Sequence, residues 1–425
     1  MKRNRIFVAL LSGALAAFTV GSVYAQTWRD YETSKDESAL IAAIEKAGDS
    51  PEDIHTKNMA VKRLSIYGTA KAIPTLVASL SNEKLNFNAR FALEAMPFDE
   101  VDAALAQATK DLQGYCLVGA IDTIGVRGKA SAVATLKEIK LDDPAVRKAV
   151  YAAMGAIASD EAVDFLVYEA SRIAPGAMGG AIEYPVLKGL GDAILDAGQK
   201  YEAAGDLAKA ATIYNVAATG AFQKYIKESG LYRSLLCNGA SSADKVVALL
   251  SGDDYSAADV ALKTIREYKA GDAEAIVKAA IANLDSYDAY RQTLVARSFE
   301  NLKDDAARKV AFPKLVELAK ADSVAMRIAA IKALSKYADM LENASLTQNE
   351  GVESTEDLNA AKVALGVAIY KAKPGVFAGL KASTLLDDMD EADALIQLKI
   401  VENARIRTAG AALVEIANKK TGALR

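Results

Sequence analysis

The chain contains a single histidine, His55, and this scarcity excludes several classes of catalytic site. A Ser-His-Asp triad, a Cys-His pair and the common catalytic zinc sites each require a histidine at a defined position. His55 lies in the polar stretch 52–57, directly before the first amphipathic segment, where we expect a solvated side chain at a helix start. Any enzymatic mechanism in this chain would therefore have to use carboxylates.

Two fragments match parts of the motifs of serine acyl-enzymes, in which an S-x-x-K and a K-T-G act together. Ser242 and Lys245 form the first fragment, and residues 420–422 form the second. No S-D-N lies between them, and residues 81–84 repeat the S-x-x-K, so the pattern arises readily by chance. We interpret Ser242 as an N-cap before a helix over residues 246–250 rather than as a nucleophile.

No segment matches a phosphate-binding loop or a calcium-binding loop. Residues 125–130 contain a Gly-Lys pair but lack the glycine spacing and the following Ser or Thr of a phosphate loop, and they predict a turn between helices. The acidic run 387–393 lacks the glycine and the ligand spacing of a calcium loop. Carboxylates in the first turn of a helix interact favourably with its positive end, and we expect that role here. The sequence predicts no catalytic residue, no metal and no cofactor.

The first 25 residues have the organisation of an export signal. Three basic residues precede an apolar stretch over about residues 6–20, and Val23 and Ala25 stand at the positions that a signal peptidase reads. An uncleaved membrane anchor is the alternative, but spanning a bilayer takes roughly 20 apolar residues. We predict cleavage after Ala25 and an exported protein, either periplasmic or extracellular.

The chain from Gln26 to Arg425 is too long for one compact core, which predicts either several domains or an extended array of repeats. Lys2, Arg3 and Arg5 are the charged residues of the signal, so its removal makes the formal net charge of −4 more negative by three. This acidity disfavours nucleic acid and anionic membranes as partners. No later apolar run approaches membrane length, and we expect no integral membrane segment after signal cleavage.

Cys116 and Cys237 are the two cysteines of the chain, and an exported protein could hold them as a disulfide. They are far apart in sequence, and both lie in apolar segments with helical spacing. We therefore interpret them as buried free thiols. So low a cysteine content excludes a small disulfide-dense fold.

The elements that would position any functional side chain are amphipathic helices. After about residue 38, apolar residues recur at three- and four-residue spacing, and alanine, a strong helix former, is the commonest residue. Groups of Gly, Asp, Asn and Ser interrupt this pattern about every 12 to 20 residues. Most of the eight prolines lie where we expect helices to begin, namely Pro51, Pro74, Pro144, Pro313 and Pro374. The predicted fold class is all-α.

One of these helices is repeated along the chain. Residues 143–155 and 322–334 share a pattern in which an Arg follows an apolar residue, Ala comes two and six places later, and a larger apolar residue comes seven places later. Residues 88–97 form a third and less complete copy. We expect the recurring Arg to bond neighbouring turns rather than a ligand.

These copies resemble the second helix of a HEAT repeat. Residues 73–80 and 312–318 resemble the first helix of that repeat, with its P-x-L-x-x-x-L pattern. The resemblance covers about residues 57–171 and, more weakly, 243–341. It implies helical hairpins that stack in a right-handed α-α superhelix, each burying its apolar face against the next.

The middle of the chain resembles a different helical repeat, the tetratricopeptide (TPR) unit. Residues 198–217 carry the small and aromatic residues of that unit at the family's spacing, with residues 205–206 as the turn between its helices. The matching positions are Gly198, Tyr201, Ala210, Tyr214 and Ala217.

The expected organisation combines these segments in one array. Residues 342–357 are polar and predict an exposed loop, and the helices that follow could cover the open end of the array. In chain order we expect a signal at 1–25, HEAT-like repeats at 26–180, a TPR-like segment at 181–235, HEAT-like repeats at 236–341, the polar loop at 342–357 and C-terminal helices at 358–425.

This organisation predicts a non-catalytic scaffold that binds a protein or a peptide segment outside the cytoplasm. The HEAT resemblance implies that the second helix of each unit lines the concave side, and aromatic residues are effective anchors at interfaces. The residues expected to contact the partner are Phe91, Lys148, Tyr151, Tyr287, Tyr290 and Lys332.

Two other functions remain open at this stage. The chain could be a carbohydrate-active enzyme that uses paired carboxylates on a helical-repeat scaffold. Such enzymes usually carry aromatic platforms for sugars, whereas Trp28 is the single tryptophan here. The chain could also be a structural component of a cell-envelope assembly.

Overall fold

The computed structural model describes residues 31–46, 48–173, 184–318, 321, 323–334 and 336–337. Every regular element among them is helical, and none of these residues lies in a strand. The expected all-α fold is thereby confirmed for this part of the chain. The chain divides into two compact units, Met1–Lys227 and Glu228–Arg425, called unit 1 and unit 2 below.

The helices of unit 1 are numbered in chain order from Glu37. They are α1 (Glu37–Glu45), α2 (Pro51–Tyr67), α3 (Ile73–Ala78), α4 (Glu83–Ala95), α5 (Asp99–Ala108), α6 (Gly114–Arg127), α7 (Val133–Glu138), α8 (Pro144–Ile157), α9 (Asp160–Ser171), α10 (Tyr184–Ala203) and α11 (Leu207–Thr219). The next helix, α12 (Lys224–Asn238), contains the boundary between the units.

Local sequence signals determine where several of these helices begin. Each of Pro51, Pro74 and Pro144 lies at the first or second position of its helix, as predicted. Backbone N–H groups in the first turn have no partner within the helix, so proline loses no hydrogen bond there. Ser50 and Asp53 form a capping box at the start of α2, in which each side chain bonds the other residue's backbone N–H.

The helices of unit 1 form two layers. In the layer called the even layer here, α2, α4, α6, α8 and α10 pack side by side in chain order. In the other layer α3 contacts both α1 and α5, and α9 contacts α11. Because each helix packs mainly on its nearest neighbours along the chain, unit 1 has the arrangement of a stack of helical hairpins.

Glycines allow the closest contacts within the even layer. A Cβ at Gly125 would lie 2.8 Å from the Cα of Ala153, and a Cβ at Gly155 would lie 2.6 Å from the carbonyl oxygen of Ala193. The obstructing atoms belong to the backbone and cannot move aside by changing rotamer. The packing of α6 on α8 and of α8 on α10 therefore requires glycine at these two positions.

A buried ion pair links α5 to the end of α6. The Arg127 guanidinium donates to both carboxylate oxygens of Asp102, at 2.5 and 2.9 Å, and both side chains are largely buried. The same guanidinium donates to three backbone carbonyls at and after the end of α4, those of Leu93, Met96 and Phe98. Predicted as part of a turn, Arg127 is the last helical residue of α6, and the turn begins at Gly128, whose φ is +67°.

Of the recurring arginines, Arg147 bonds a neighbouring turn as expected, Arg90 bonds the next helix instead, and the side chain of Arg327 lies outside the described residues. Arg147 Nε donates to the Leu141 carbonyl, 2.7 Å away in the turn before its own helix. Arg90 Nε donates to Thr123 Oγ1 on the next helix of the even layer, at 3.2 Å.

The segment that resembles a TPR unit forms the hairpin of α10 and α11. Tyr214 is buried, and a Cβ at Gly198 would lie 2.6 Å from its ring, so that glycine makes room for the aromatic side chain. Gly205 adopts a φ of +85° in the turn, and the Asp206 carboxylate accepts a hydrogen bond from the Lys209 N–H. The predicted inter-helix turn is confirmed.

Unit 2 also consists of two layers of helices. Helices α13, α15 and α17 pack side by side, and so do α14, α16 and α18. Its buried core includes Phe312, whose ring stacks on that of Tyr337 at a centroid distance of 6.3 Å. The helices are α13 (Ala243–Ser251), α14 (Tyr255–Ile265), α15 (Asp272–Ala282), α16 (Ala289–Ser298), α17 (Asp305–Leu318) and α18 (Val324–Leu334).

Two local predictions in unit 2 are wrong. Pro313 lies inside α17 rather than at a helix start, because the buried side chains of Phe312 and Leu315 hold the helix together across a residue that costs it about 3 kcal/mol. Ser242 precedes α13 but does not cap it. Its buried hydroxyl donates to the Gly239 carbonyl and hydrogen-bonds the Tyr268 hydroxyl at 2.7 Å.

Several predictions concern residues that the structure does not describe. The signal at 1–25, the polar loop at 342–357 and the helices at 358–425 lie outside the described residues. Among the residues that are described, no helix has the length and apolar character needed to cross a bilayer.

Candidate functional site

The even layer of unit 1 presents large apolar side chains to solvent. In α4, the buried positions include Leu85, Ala89 and Leu93, which face the core. Phe87 and Phe91 are one helical turn apart on the opposite side, where they are 68% and 58% exposed. A soluble helix usually places polar residues at such positions, so a pair of exposed phenylalanines marks this side of α4 as a candidate contact surface.

The neighbouring helices also carry exposed large side chains. On α6 the exposed side chains include Tyr115 and Val126, and on α2 they include Ile66. We call these residues together with Phe87 and Phe91 the apolar face. All five are exposed and belong to three consecutive helices of one layer.

Hydrogen bonds between the helices hold this face in place. The Asn88 side-chain amide on α4 donates to Asn58 Oδ1 on α2, at 2.6 Å. Arg90 on α4 lies 3.4 Å from the carboxylate of Asp122 on α6. These contacts join adjacent helices at positions flanking Phe87 and Phe91, so they fix the spacing of the aromatic side chains.

Beyond α6 the even layer also exposes charged side chains. Burial raises the pKa of Asp122, and the positive charges of Arg90 and Lys148 oppose this shift. Lys148 is exposed on α8, and on α10 the Lys188 ammonium lies 2.5 Å from the Asp192 carboxylate. A partner that covers the even layer would meet aromatic side chains on α4, charged ones on α8 and both kinds on α10.

Two of the six predicted contact residues lie on the exposed side of the even layer. Phe91 is on α4 and Lys148 is on α8, and both are exposed. Tyr151 is on α8 but is buried, and its hydroxyl donates to Glu169 Oε2 at 2.7 Å. Tyr151 therefore offers no surface to a partner on this side and instead lines a cavity on the other side of α8.

The remaining predicted residues belong to unit 2. Tyr287 is buried, and its hydroxyl has no hydrogen-bond partner within the described chain. Tyr290 is 62% exposed near the start of α16. Lys332 is on α18, and its side chain lies outside the part of the chain that the structure describes. Tyr287 and Tyr290 thus differ in exposure and do not form one aromatic surface.

Sequence reasoning missed four residues of the apolar face, namely Ile66, Phe87, Tyr115 and Val126. The signal for Phe87 was present, because it lies four residues before Phe91 and falls outside the apolar spacing of the buried positions of α4. Tyr115 and Val126 carried no comparable signal, since α6 has apolar residues on most of its circumference.

The cavity beside Tyr151 has a volume of about 240 Å³ and lies between α8, α9 and α10. Glu169, at the end of α9, accepts from Tyr151 on one carboxylate oxygen and from Arg172 on the other, at 3.3 Å. Arg147 also contributes to the lining. The other residues that line the cavity are apolar, namely Leu141, Ile173, Val186, Leu187 and Leu190.

The protonation of Tyr151 follows from this environment. Burial raises the pKa of its hydroxyl, and the hydrogen bond to Glu169 raises it further. The nearby positive charges of Arg147 and Arg172 act in the opposite direction without reversing the shift. Tyr151 is therefore a neutral hydrogen-bond donor at physiological pH.

Comparison with known proteins adds no further constraint on the site. No protein-family model matches the sequence, and no curated protein shows significant similarity to it. Among the described residues, no group of three or more His, Cys, Asp or Glu side chains is arranged to hold a metal ion.

Proposed function

We propose that this protein is a non-catalytic helical-repeat scaffold that binds a protein or peptide partner outside the cytoplasm through the even layer of unit 1. The observation that carries this proposal is the apolar face, where five large side chains are exposed on three neighbouring helices of one layer. Several exposed apolar side chains on neighbouring helices of one layer are typical of an interaction site.

The geometry favours a large partner over a small one. The apolar face extends over three helices and is supported by bonds between them, such as that of Asn88 to Asn58. Full burial of an exposed Phe side chain contributes about 1.5–3 kcal/mol, so Phe87 and Phe91 could act as the central anchors of an interface. Lys148, on the charged side of the layer, would suit an acidic residue of the partner.

Photocrosslinking in native cells tests this proposal. A photoreactive amino acid replaces Phe87 or Phe91 in one set of variants and Tyr168 in the matched control, because Tyr168 is 60% exposed but belongs to α9 in the other layer. We expect positions 87 and 91 to yield the same discrete crosslinked protein, and position 168 to yield none of it. Equal crosslinking at all three positions would contradict the proposal.

Export and catalysis are tested separately. Intact mass measurement of the protein recovered from the periplasm or medium should give a chain that begins at Gln26, as the export signal requires. A panel assay for glycan cleavage addresses the carbohydrate-active alternative. If the protein cleaves a glycan and this turnover disappears on replacement of a single Asp or Glu, the protein is an enzyme and the scaffold proposal is wrong.

A further inference from the structure

The cavity between α8, α9 and α10 is a second place where unit 1 could bind a ligand, and it is separate from the apolar face. Its polar side has two positive groups, Arg147 and Arg172, and one negative group, Glu169. Both oxygens of Glu169 already accept hydrogen bonds, from Tyr151 and from Arg172. Among the described residues that line the cavity, one positive charge is therefore in excess.

Arg147 supplies that excess charge. Its Nε donates to the Leu141 carbonyl at 2.7 Å, which holds the guanidinium in place at the half-buried edge of the cavity. Within the described residues its two terminal nitrogens have no partner. A partly buried guanidinium gains most from a carboxylate, because the planar fork of N–H groups matches two oxygens.

The apolar wall limits what can be attached to that carboxylate. Val186, Leu187 and Leu190 are successive inward positions of α10, each buried, and Ile173 completes the wall from the end of α9. The volume of about 240 Å³ lies below the roughly 300–1,000 Å³ of pockets for drug-sized ligands. The cavity therefore suits a single short apolar chain.

We infer that this cavity binds a carboxylate carried on one short apolar chain, with the carboxylate on Arg147, beside the positive charge of Arg172, and the chain against Val186, Leu187 and Leu190. Such a group occurs in small free carboxylic acids and in the C-terminal residue of a peptide that ends in an apolar side chain. The inference does not depend on the proposed role of the apolar face.

Isothermal titration calorimetry on the full chain after signal removal tests this inference. The probes are hexanoate, hexanamide, and an N-acetylated Ala-Ala-Leu peptide with either a free or an amidated C-terminus. We expect one-to-one binding of at least one of the two carboxylates and at least about tenfold weaker binding of its amide. Hexanoate binding alone would identify a free acid as the source, and preference for the peptide acid would identify a chain terminus.

Matched variants distinguish binding in the cavity from a general effect of the protein's charge. Arg147→Met should weaken carboxylate binding at least about tenfold, and Arg147→Lys should weaken it less, since it retains the charge. The control is Arg63→Met, because Arg63 Nε also donates to a backbone carbonyl, that of Ser34 at 3.0 Å, but lies far along the chain in α2. Arg63→Met should leave binding unchanged.

A further variant covers the case in which Arg147→Met does not fold. The Arg172 side chain is 64% exposed, so Arg172→Met should keep the fold and still weaken carboxylate binding. The inference is overturned if neither carboxylate binds at millimolar concentration, if the amides bind as tightly as the acids, or if Arg63→Met has the same effect as the cavity variants.

Discussion

Replacement of Gly155 by alanine tests the packing of α8 on α10, on which the stacked arrangement of unit 1 depends. The added Cβ would lie 2.6 Å from the Ala193 carbonyl oxygen, 2.8 Å from its Cα and 3.0 Å from its carbonyl carbon, whereas ordinary contacts begin at 3.4 Å. Helix α10 must therefore withdraw from α8, and the contacts around Val150 and Ile194 loosen with it.

Two opposing effects determine how much Gly155→Ala changes the free energy of unfolding. Overpacking of a well-packed core typically costs about 1–3 kcal/mol. Alanine in place of glycine in a helix interior stabilises the folded state by about 0.5–1 kcal/mol, because alanine has less conformational entropy than glycine in the unfolded chain. We expect Gly155→Ala to lower the free energy of unfolding of unit 1 by about 0.5–2 kcal/mol.

The matched control is Gly189→Ala, also in the even layer. There the nearest atoms belong to the long and exposed side chain of Lys148, which can move aside. Because the nearest atom is the side-chain Cγ of Lys148, at 2.5 Å, rather than backbone, Gly189→Ala should cost less than Gly155→Ala. Urea unfolding followed by circular dichroism measures both variants, with hydrogen exchange of α8 and α10 to locate the change. If Gly155→Ala is as stable as Gly189→Ala, the close approach of the two backbones does not exist.

Three further predictions follow from other buried groups. Arg127→Met should lower the free energy of unfolding by about 3–5 kcal/mol because it leaves Asp102 buried without its partner. The double variant Arg127→Met/Asp102→Leu should lower it by less than the sum of the two single changes, and a double-mutant cycle of urea unfolding measures the difference. Burial raises the pKa of Tyr287 from 10.0 to about 12, so the folded state keeps this proton to a higher pH than the unfolded state does. The free energy of unfolding should therefore fall as pH rises from about 10 to 12, and Tyr287→Phe should remove the part of this fall that is due to Tyr287. Burial also raises the pKa of Cys116, so its thiol should react slowly with a thiol reagent at pH 8 and rapidly after unfolding in urea; fast reaction in the native state would contradict its burial.

Helix starts and hairpin turns could be predicted from the sequence because their causes are local. Pro51 and Pro144 stand at helix starts, and Gly205 adopts the positive φ that the turn of the TPR-like hairpin requires. The buried contact of Tyr214 with Gly198 also agrees with the spacing of that repeat, although the two residues lie on different helices.

Local sequence signals gave wrong predictions where tertiary contacts override them. Pro313 is held inside α17 by buried neighbours, and the hydroxyl of Ser242 bonds Tyr268 instead of capping a helix. Both outcomes depend on residues that pack against the segment from elsewhere, which the segment itself does not encode.

The candidate sites were predicted in part for a related reason. Phe91 and Lys148 were expected on the exposed side of repeated helices, and they lie there because the repeat fixes which side of each helix is buried. Tyr151 lies on the inward side of α8 and is buried. The cavity combines Arg147, Glu169 and residues of three helices, so it exists only once those helices have packed.

The claim that the even layer of unit 1 is a binding surface is tested most directly by affinity for the crosslinked partner. The measurement compares the Kd of the wild-type chain with that of Phe87→Ser/Phe91→Ser and of Tyr168→Ser, after urea unfolding has shown that these exposed replacements leave stability unchanged. The account predicts at least about 2 kcal/mol weaker binding, or roughly 30-fold, for the double variant and no change for Tyr168→Ser. Unchanged affinity of the double variant would contradict it.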